Sequence, residues 1–205
     1  MDVIEVDRDE ALLLEDRYSG EALTVHCADV LAFDLRSIGD RLRIVGNLPY
    51  NISTPILFAV DAVWDLVRDC HFMLQKEVVD RMGAAPATPE YGRLSVMLQY
   101  RWRVEPLFDV PPTVFRPQPK VWSSVVRMLP AQSVSLRDGG LFRHVVEAAF
   151  SKRRKTLRNA LRELVLLEDF VACDIDPGRR GETLAVADFA CLANQVWLRL
   201  NASSE

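Results

Sequence analysis

Short apolar runs alternate with helical patterns through the first half of the chain. Runs typical of buried parallel strands lie at residues 3–6, 23–27, 42–45 and 72–74. Residues 9–17, 55–64 and 76–82 have the periodicity of helices. This alternation predicts an α/β fold with a doubly wound sheet.

The second half of the chain has a different organisation. Residues 94–100 are predicted to be helical, and residues 104–107 and 121–129 to form a terminal strand pair joined by the proline-rich residues 111–119. A polar stretch at residues 131–140 indicates a boundary. Helical patterns follow at residues 141–150, 151–162, 164–173 and 186–200. We therefore predict a sheet-containing domain at residues 1–136 and an all-helical domain at residues 137–205.

Composition narrows the class of protein. A chain of 205 residues with 49% apolar content can bury a sizeable core. No apolar run reaches membrane-spanning length and the start does not resemble a signal peptide, so we expect a soluble, intracellular protein. The four cysteines lack Cys-x-x-Cys spacing and sit in apolar surroundings, which predicts reduced core residues. Nothing in the sequence supports a metal site.

Charge is segregated along the chain, although the net charge is only -4. Residues 1–40 carry 3 basic and 11 acidic side chains, residues 41–162 carry 19 and 10, and residues 163–205 carry 3 and 8. Residues 151–162 form a predicted basic helix without an acid, a composition suited to a phosphate backbone. The alternative is a solvated helix face. The candidate RNA-binding residues are Lys152, Arg153, Arg154, Lys155 and Arg158.

The tetrapeptide Asn47-Leu48-Pro49-Tyr50 follows a predicted strand and precedes a helix start. Asn47 offers a side-chain oxygen and Leu48 a carbonyl, which together can accept both N–H bonds of an exocyclic amine. Pro49 biases Leu48 toward extended geometry, so its carbonyl can point outward. Tyr50 offers a ring on which a base can stack. The alternative interpretation is an ordinary turn, which Asn and Pro often form.

Two acids are placed where an α/β sheet would hold a nucleotide. Glu5 ends the first predicted strand, and a carboxylate there can accept hydrogen bonds from both ribose hydroxyls. Asp29 follows the second strand, where it can accept from an adenine amine. Taken singly, Glu5 is better explained as a helix-start acid and Asp29 as a turn residue. Their joint placement at successive strand ends, with Asn47 at the third, is what favours a nucleotide site.

Several segments together resemble the bacterial small-subunit ribosomal RNA adenine N6,N6-dimethyltransferases. They are residues 45–58, 73–78, 91–96, 115–121 and 149–156, and the resemblance extends over essentially the whole chain. It implies a Rossmann-like class I methyltransferase fold with a small helical carboxyl-terminal domain. It also implies S-adenosylmethionine as methyl donor, two adjacent adenines of small-subunit rRNA as target, and a monomer that meets the immature small ribosomal subunit in the cytoplasm.

The resemblance also implies roles for single residues. Glu5 and Asp29 would hold the ribose and adenine of the cofactor, with Asn47 close to it. Asn47, Leu48 and Tyr50 would hold the target base, and Phe115 would approach its other face.

The sequence departs from the family in one major respect. Family members carry a Gly-x-Gly segment and its strand before the strand that Glu5 ends, and we expect its absence to leave unpaired backbone in the middle of the sheet. This leaves open a catalytically impaired chain that acts only as an RNA-binding or ribosome-assembly factor. A DNA adenine methyltransferase is a third possibility, disfavoured by Leu48 where those enzymes have proline. A smaller departure is Trp122, where the family more often has a small polar or acidic residue.

Overall fold

The structure is a computed structural model that describes residues 1–20, 22–152 and 154–202. The strands in these residues are β1 (Asp2–Glu5), β2 (Thr24–Cys27), β3 (Leu42–Asn47), β4 (Val67–Gln75), β5 (Trp102–Val110) and β6 (Ser123–Pro130). The α-helices are α1 (Arg8–Arg17), α2 (Ser53–Asp61), α3 (Lys76–Gly83), α4 (Arg93–Gln99), α5 (Gly139–Phe150), α6 (Leu157–Ala160), α7 (Leu167–Ala172) and α8 (Val186–Ala202). None of these helices is long and apolar enough to cross a membrane.

The strands form two separate sheets. β1 pairs in parallel with β2, and the second sheet has the order β3-β4-β6-β5. β3 and β4 are parallel, while β6 is antiparallel to β4 and to β5. The predicted α/β class and the predicted terminal strand pair are confirmed. The expected break in the sheet is also present, because β1 and β3 do not pair with each other.

Helices α2, α3 and α4 cover one face of the four-stranded sheet. Phe72 of β4 and Val126 of β6 are fully buried there against Leu57 of α2 and Met82 of α3. Ile44 of β3 packs against the same core. This packing buries apolar side chains from every layer of the first half of the fold and supplies its main stabilisation.

The opposite face of this sheet has no helix layer in the part of the chain that the structure describes. Asn47, Met73, Val125 and Phe108 are register partners in one row across the four strands. Phe108 is 60% exposed, and Val45, on the same side of β3 as Asn47, is 71% exposed. Parallel strands are ordinarily covered on both faces. The prediction of fully buried strands is therefore wrong for this face.

The backbone of β3 leaves one row of hydrogen-bonding groups unpaired. The Leu48 amide donates to the Met73 carbonyl at 3.1 Å. In a parallel ladder every second residue bonds to the same neighbouring strand, so Ile44 and Gly46 bond to β4. The amide and carbonyl of Val45 therefore point to the open edge of the sheet.

β1 has a matching open edge. The carbonyls of Met1 and Glu5 accept hydrogen bonds from the amides of Thr24 and Ala28, each at 2.9 Å. By the same alternation, the backbone groups of Ile4 point away from β2. The Ile4 side chain packs against the core that lies beneath β3, so the two open edges belong to neighbouring parts of the fold.

The helices after residue 139 enclose a second core. Phe142 of α5, Leu157 of α6 and Phe189 of α8 are fully buried in it. α4 adds Val96 to this core, and Phe58 of α2 packs against both cores. The helical half is thus joined to the sheet by shared apolar contacts, and the domain boundary after residue 136 stays a prediction.

The prediction of one continuous basic helix over residues 151–162 is wrong. α5 ends at Phe150, and the described residues between it and α6 do not form a helix. The amides of Leu157 and Arg158, at the start of α6, donate to the carbonyls of Arg179 and Pro177 at 2.8 and 3.0 Å. These long-range bonds turn the chain, and repulsion between neighbouring cations also disfavours a regular helix.

The prediction that all four cysteines are reduced is wrong for one pair. Cys173 follows α7 and Cys191 lies in α8, and a disulfide joins them with their Cα atoms 5.8 Å apart. The packing of α7 against α8 brings together two residues that are 18 positions apart in the sequence. Cys27 and Cys70 are free, and burial raises the pKa of the Cys70 thiol to about 12.

We expect amide hydrogen exchange to alternate along β3. The Val45 amide, at the open edge, should exchange about tenfold or more faster than the Ile44 and Gly46 amides, because only the latter two donate within the ladder. Residue-resolved exchange measured by NMR tests this, with Ile44 and Gly46 as internal controls. Equal protection at Val45 would mean that another strand pairs with this edge.

Candidate active site

The loop that follows β3 lies at the carboxyl edge of the larger sheet. β3 ends at Asn47, and α2 begins at Ser53. The Leu48 amide extends the ladder to β4, and the Ile52 amide donates to the Pro49 carbonyl at 3.2 Å to close a turn. The loop is therefore held from both ends by backbone hydrogen bonds.

The Leu48 side chain and the polar groups beside it point in different directions. Leu48 is buried at 9% exposure, and its side chain packs into the core beneath the sheet. A Cβ atom on Gly46 would lie only 2.9 Å from Leu48 Cδ2, so the absence of a side chain there permits this packing. Asn47 and Pro49 are exposed. Burying Leu48 anchors the loop while leaving its polar edge open.

Two hydrogen-bond acceptors on this loop are free of protein partners. Among the described residues, no hydrogen bond is made by the Asn47 side chain or by the Leu48 carbonyl. The two oxygens belong to consecutive residues at the same strand end. The arrangement can accept both N–H bonds of a flat amine that enters from the edge of the sheet.

Tyr50 is fixed by a residue that the sequence analysis did not identify. Its hydroxyl lies 2.6 Å from Ser123 Oγ, and either atom can be the donor. Ser123 is fully buried at the start of β6 and pairs with Gln75 at the end of β4. A serine 73 positions away leaves no local signal, because only the antiparallel register of β4 and β6 brings it to this edge.

Phe115 lies in the β5–β6 loop, which reaches the same edge of the sheet. β5 ends at Val110 opposite Ser123, and Ser123 pairs with Gln75 at the end of β4, so the chain between β5 and β6 lies at the edge of the sheet where β4 ends. Phe115 is half-buried, and its amide donates to the Pro112 carbonyl at 3.2 Å. Among the aromatic contacts of the described residues, none joins Phe115 to Tyr50. The two rings therefore share an edge without touching.

Glu5 and Asp29 lie side by side at the carboxyl ends of β1 and β2. Glu5 Oε1 accepts from the Asp7 amide at 2.8 Å, and Asp29 Oδ1 accepts from the Leu31 amide at 2.9 Å. In the described structure, the second oxygen of each carboxylate makes no hydrogen bond. One oxygen of each acid thus fixes its own loop, while the other is available to a ligand.

The described residues fit only part of a nucleoside-bearing cofactor. Free oxygens on Glu5 and Asp29 match the hydroxyls of a ribose and the amine of an adenine. Asn47 stands on the other sheet, beyond the open edges of β1 and β3. Within residues 1–20, 22–152 and 154–202 no strand joins these two groups. Glu5 and Asp29 thus offer free oxygens on one sheet and Asn47 on the other, and the nucleoside-binding role of the two acids stays a prediction.

The basic segment presents its charges to solvent. Lys152, Arg154, Lys155 and Arg158 are exposed, whereas Arg153 lies outside the described residues. The first residues of α6 bond to the carbonyls of Pro177 and Arg179. The exposed Arg180 follows Arg179 directly, so its backbone lies close to the basic segment. Sequence order alone did not connect Arg180 with this cluster.

One cation at the sheet edge is already neutralised. Lys76 Nζ contacts Asp80 and Asp109, each at 3.2 Å. The hydrogen bond to Asp109, followed by that to Asp80, raises the pKa of Lys76. Among the described residues, no group of three or more His, Cys, Asp and Glu side chains could hold a metal ion.

Comparison with known sequences identifies close relatives. A family model described as "Ribosomal RNA adenine dimethylase" matches residues 1–196. The "Ribosomal RNA small subunit methyltransferase A" of Aromatoleum aromaticum is 58% identical over 196 residues, which are 95% of this chain and 74% of the relative. The protein of the same name from Thiobacillus denitrificans is 56% identical over 191 residues, which are 92% of this chain and 75% of that relative. The chain spans about three quarters of these relatives.

Solved structures share the fold at low sequence identity. A dimethyladenosine transferase from Plasmodium falciparum superposes with a TM-score of 0.82 at 23% identity, covering 99% of this chain and 82% of that one. The 23S rRNA methyltransferase ErmE gives a TM-score of 0.64 at 22% identity, covering 95% and 81%. These likenesses establish a methyltransferase-type α/β fold.

We expect Tyr50→Phe to lower the free energy of unfolding by about 0.5–1.5 kcal/mol, because it removes one partner of a part-buried hydrogen bond. Urea unfolding measures the change. Ser123→Ala should have a similar effect, and the double variant should lose no more than the larger single loss. Fully additive losses would show that the two hydroxyls do not interact.

Proposed function

The chain belongs to the ribosomal RNA adenine dimethylase family, and on that premise we propose that it dimethylates N6 of two adjacent adenines in small-subunit ribosomal RNA. Members of this family are methyltransferases that use S-adenosylmethionine. The observation that carries the proposal is the pair of open acceptors, the Asn47 side-chain oxygen and the Leu48 carbonyl, at the carboxyl edge of the sheet.

The two acceptors address the main chemical difficulty of the reaction. The lone pair of adenine N6 is delocalised into the ring, so the amine is a poor nucleophile. Hydrogen bonds from its two N–H groups to Asn47 and Leu48 favour a geometry in which the lone pair is localised on nitrogen. As the bond from N6 to the methyl group forms, the bond from that methyl group to the sulfonium sulfur would break and leave a neutral thioether. The N6 proton would then pass to water, so this scheme needs no strong base.

The target base needs a rigid surface as well as acceptors. Tyr50 offers its ring, and the bond to Ser123 holds that ring in place before the base arrives. Pro49 restricts the loop between the ring and the acceptors. Phe115, on the loop across the same edge, would approach the other face of the base. Base stacking on such rings compensates for the loss of stacking in RNA.

The methyl donor would be held by its nucleoside part. Glu5 would accept from the ribose hydroxyls, and Asp29 from the adenine amine, with Asn47 close to the reacting end. S-adenosylmethionine supplies an electrophilic methyl group on sulfur. The free carboxylate oxygens at the ends of β1 and β2 support this assignment.

RNA binding by the helical domain, residues 137–205, completes the proposal. The exposed cations Lys152, Arg154, Lys155 and Arg158, together with Arg153, would neutralise phosphates of the small-subunit rRNA. We propose that the protein meets its target as a monomer on the immature small subunit in the cytoplasm. The buried core formed by α5, α6, α7 and α8, to which α4 also contributes, supports this part of the chain as the carrier of the basic surface.

A second candidate function is RNA binding or ribosome assembly without catalysis. The separation of the β1–β2 sheet from β3 favours it, because the donor site is divided while the basic surface is intact. Transfer of labelled methyl groups from S-adenosylmethionine to immature small subunits, compared with duplex DNA, distinguishes the possibilities. Label in the subunits supports the enzyme, label in DNA the alternative methyltransferase, and binding without label the assembly factor.

We expect Asn47→Ala to lower methyl transfer to small subunits by about 100-fold or more, because it removes one of the two acceptors for N6. RNA affinity, measured by filter binding, should stay within about twofold of wild type, since Asn47 is not part of the basic surface. Asn201→Ala, an exposed amide in α8, is the matched control. Undiminished transfer by Asn47→Ala would remove Asn47 from the reaction.

We expect replacing Arg154 and Lys155 by Ala to weaken RNA binding and to flatten its salt dependence. Each phosphate that is no longer neutralised should reduce the slope of log K against log salt by about 0.7–0.9. Arg8 and Arg17 of α1 replaced by Ala provide a control with the same change in net charge. An unchanged slope for the Arg154 and Lys155 variant would show that this surface faces solvent.

A further inference from the structure

The β5–β6 loop carries an exposed aromatic side chain that the candidate site does not use. Trp122 is 51% exposed and lies immediately before Ser123, whose hydroxyl holds Tyr50. Consecutive Cα atoms are about 3.8 Å apart, so the Trp122 backbone lies at the same edge of the sheet as the loop at residues 47–52, which we call the target-base loop. The Trp122 carbonyl accepts from the Lys76 amide at 2.9 Å, which fixes the backbone beneath the ring.

The other three tryptophans differ from Trp122 in having internal partners. Trp102 is buried and donates its indole N–H to Asp61 at 2.8 Å. Trp64 and Trp197 each have an arginine guanidinium over the ring, at 5.5 and 5.1 Å from the centroid. In the described part of the chain, no ring or cation contacts the Trp122 indole. Its apolar surface therefore remains open to a ligand.

The charges on the same loop are suited to an anionic partner. Residues 111–122 include Arg116 and Lys120 and no acid. Both cations are exposed, and neither forms an ion pair with a described residue. Lys76, in contrast, is neutralised by Asp80 and Asp109. Uncompensated cations beside an exposed ring are the combination that binds single-stranded nucleic acid.

We propose that Trp122 stacks on an RNA base that flanks the target adenine, while Arg116 and Lys120 contact the phosphates of that strand. The occupant of this surface is a single-stranded segment of the substrate RNA. The inference rests on the proposed function, which makes RNA the substrate. It adds a contact on the β5–β6 loop that is separate from both the target-base loop and the basic surface around α6.

Binding of a single-stranded RNA oligonucleotide with two adjacent adenines tests the proposal without any need for methyl transfer. Tryptophan fluorescence of the wild-type chain should be quenched on titration, and most of that quenching should be absent in Trp122→Phe. Trp122→Ala should lower affinity by about five- to 100-fold, and Trp122→Phe by less, because a phenyl ring still stacks. Val114→Ala, an exposed apolar change on the same loop, is the matched control and should bind as wild type does.

Salt dependence separates the ring from the charges. Trp122→Ala should leave the slope of log K against log salt unchanged, since it removes no cation. Replacing Arg116 and Lys120 by Ala should lower that slope by about 0.7 for each phosphate that these cations neutralise in the wild-type complex. Urea unfolding should give the same stability for Trp122→Ala and wild type within about 0.5 kcal/mol, as for other exposed positions.

Several outcomes would overturn the proposal. Wild-type affinity in Trp122→Ala, with quenching retained in Trp122→Phe, would refute stacking by Trp122. It would leave the proposed function of the protein untouched. Loss of self-association in Trp122→Ala, measured by sedimentation, would assign the surface to a second copy of the chain instead. A marked loss of stability in Trp122→Ala would give the residue a structural role. Failure of the wild-type chain to bind any RNA would contradict the proposed function itself.

Discussion

The parallel ladder between β3 and β4 is the constraint on which the candidate site depends. Its last hydrogen bond, from the Leu48 amide to the Met73 carbonyl, fixes the backbone at the point where the Leu48 side chain enters the core and Asn47 is exposed. Gly46 allows the close approach of Leu48 that completes this packing. The two acceptors are thus positioned by the core beneath them, and a substitution that disturbs the packing of Leu48 would shift both oxygens. This is how a well-packed scaffold positions a polar loop.

The sheet half and the helical half of the fold differ in how their backbone edges and apolar faces are covered. The helices from α5 to α8 enclose a buried core to which α4 also contributes Val96, and the described cations Lys152, Arg154, Lys155 and Arg158 are exposed. The sheet half has open backbone edges on β1 and β3 and an uncovered face with Val45 and Phe108 exposed. Open parallel edges and exposed apolar side chains are both places where additional polypeptide can bind. The chain also spans about three quarters of its relatives.

Errors in the sequence analysis have a common physical origin. Residues 151–162 have a helical composition. The amides of Leu157 and Arg158 donate instead to the distant carbonyls of Arg179 and Pro177, so they are not available to a continuous helix. Cys173 and Cys191 lack any spacing motif, and only the packing of α7 on α8 brings them together. Apolar runs predicted buried strands, yet burial requires neighbours that a local pattern does not report. In the first two cases a long-range contact outweighed the local signal, and in the third the covering neighbour that the local pattern implied is not among the described residues.

The sequence by itself determined the alternation of strands and helices, the position of the Asn47-Leu48-Pro49-Tyr50 tetrapeptide at a strand end, and the acids at two neighbouring strand ends. These follow from local periodicity and from the chemistry of single side chains, which the chain order records directly. Only the tertiary structure decided that Ser123 holds Tyr50, and that no ring or cation among the described residues contacts the Trp122 indole. Such relations depend on strand register and packing between distant segments, and those are set when the whole chain folds.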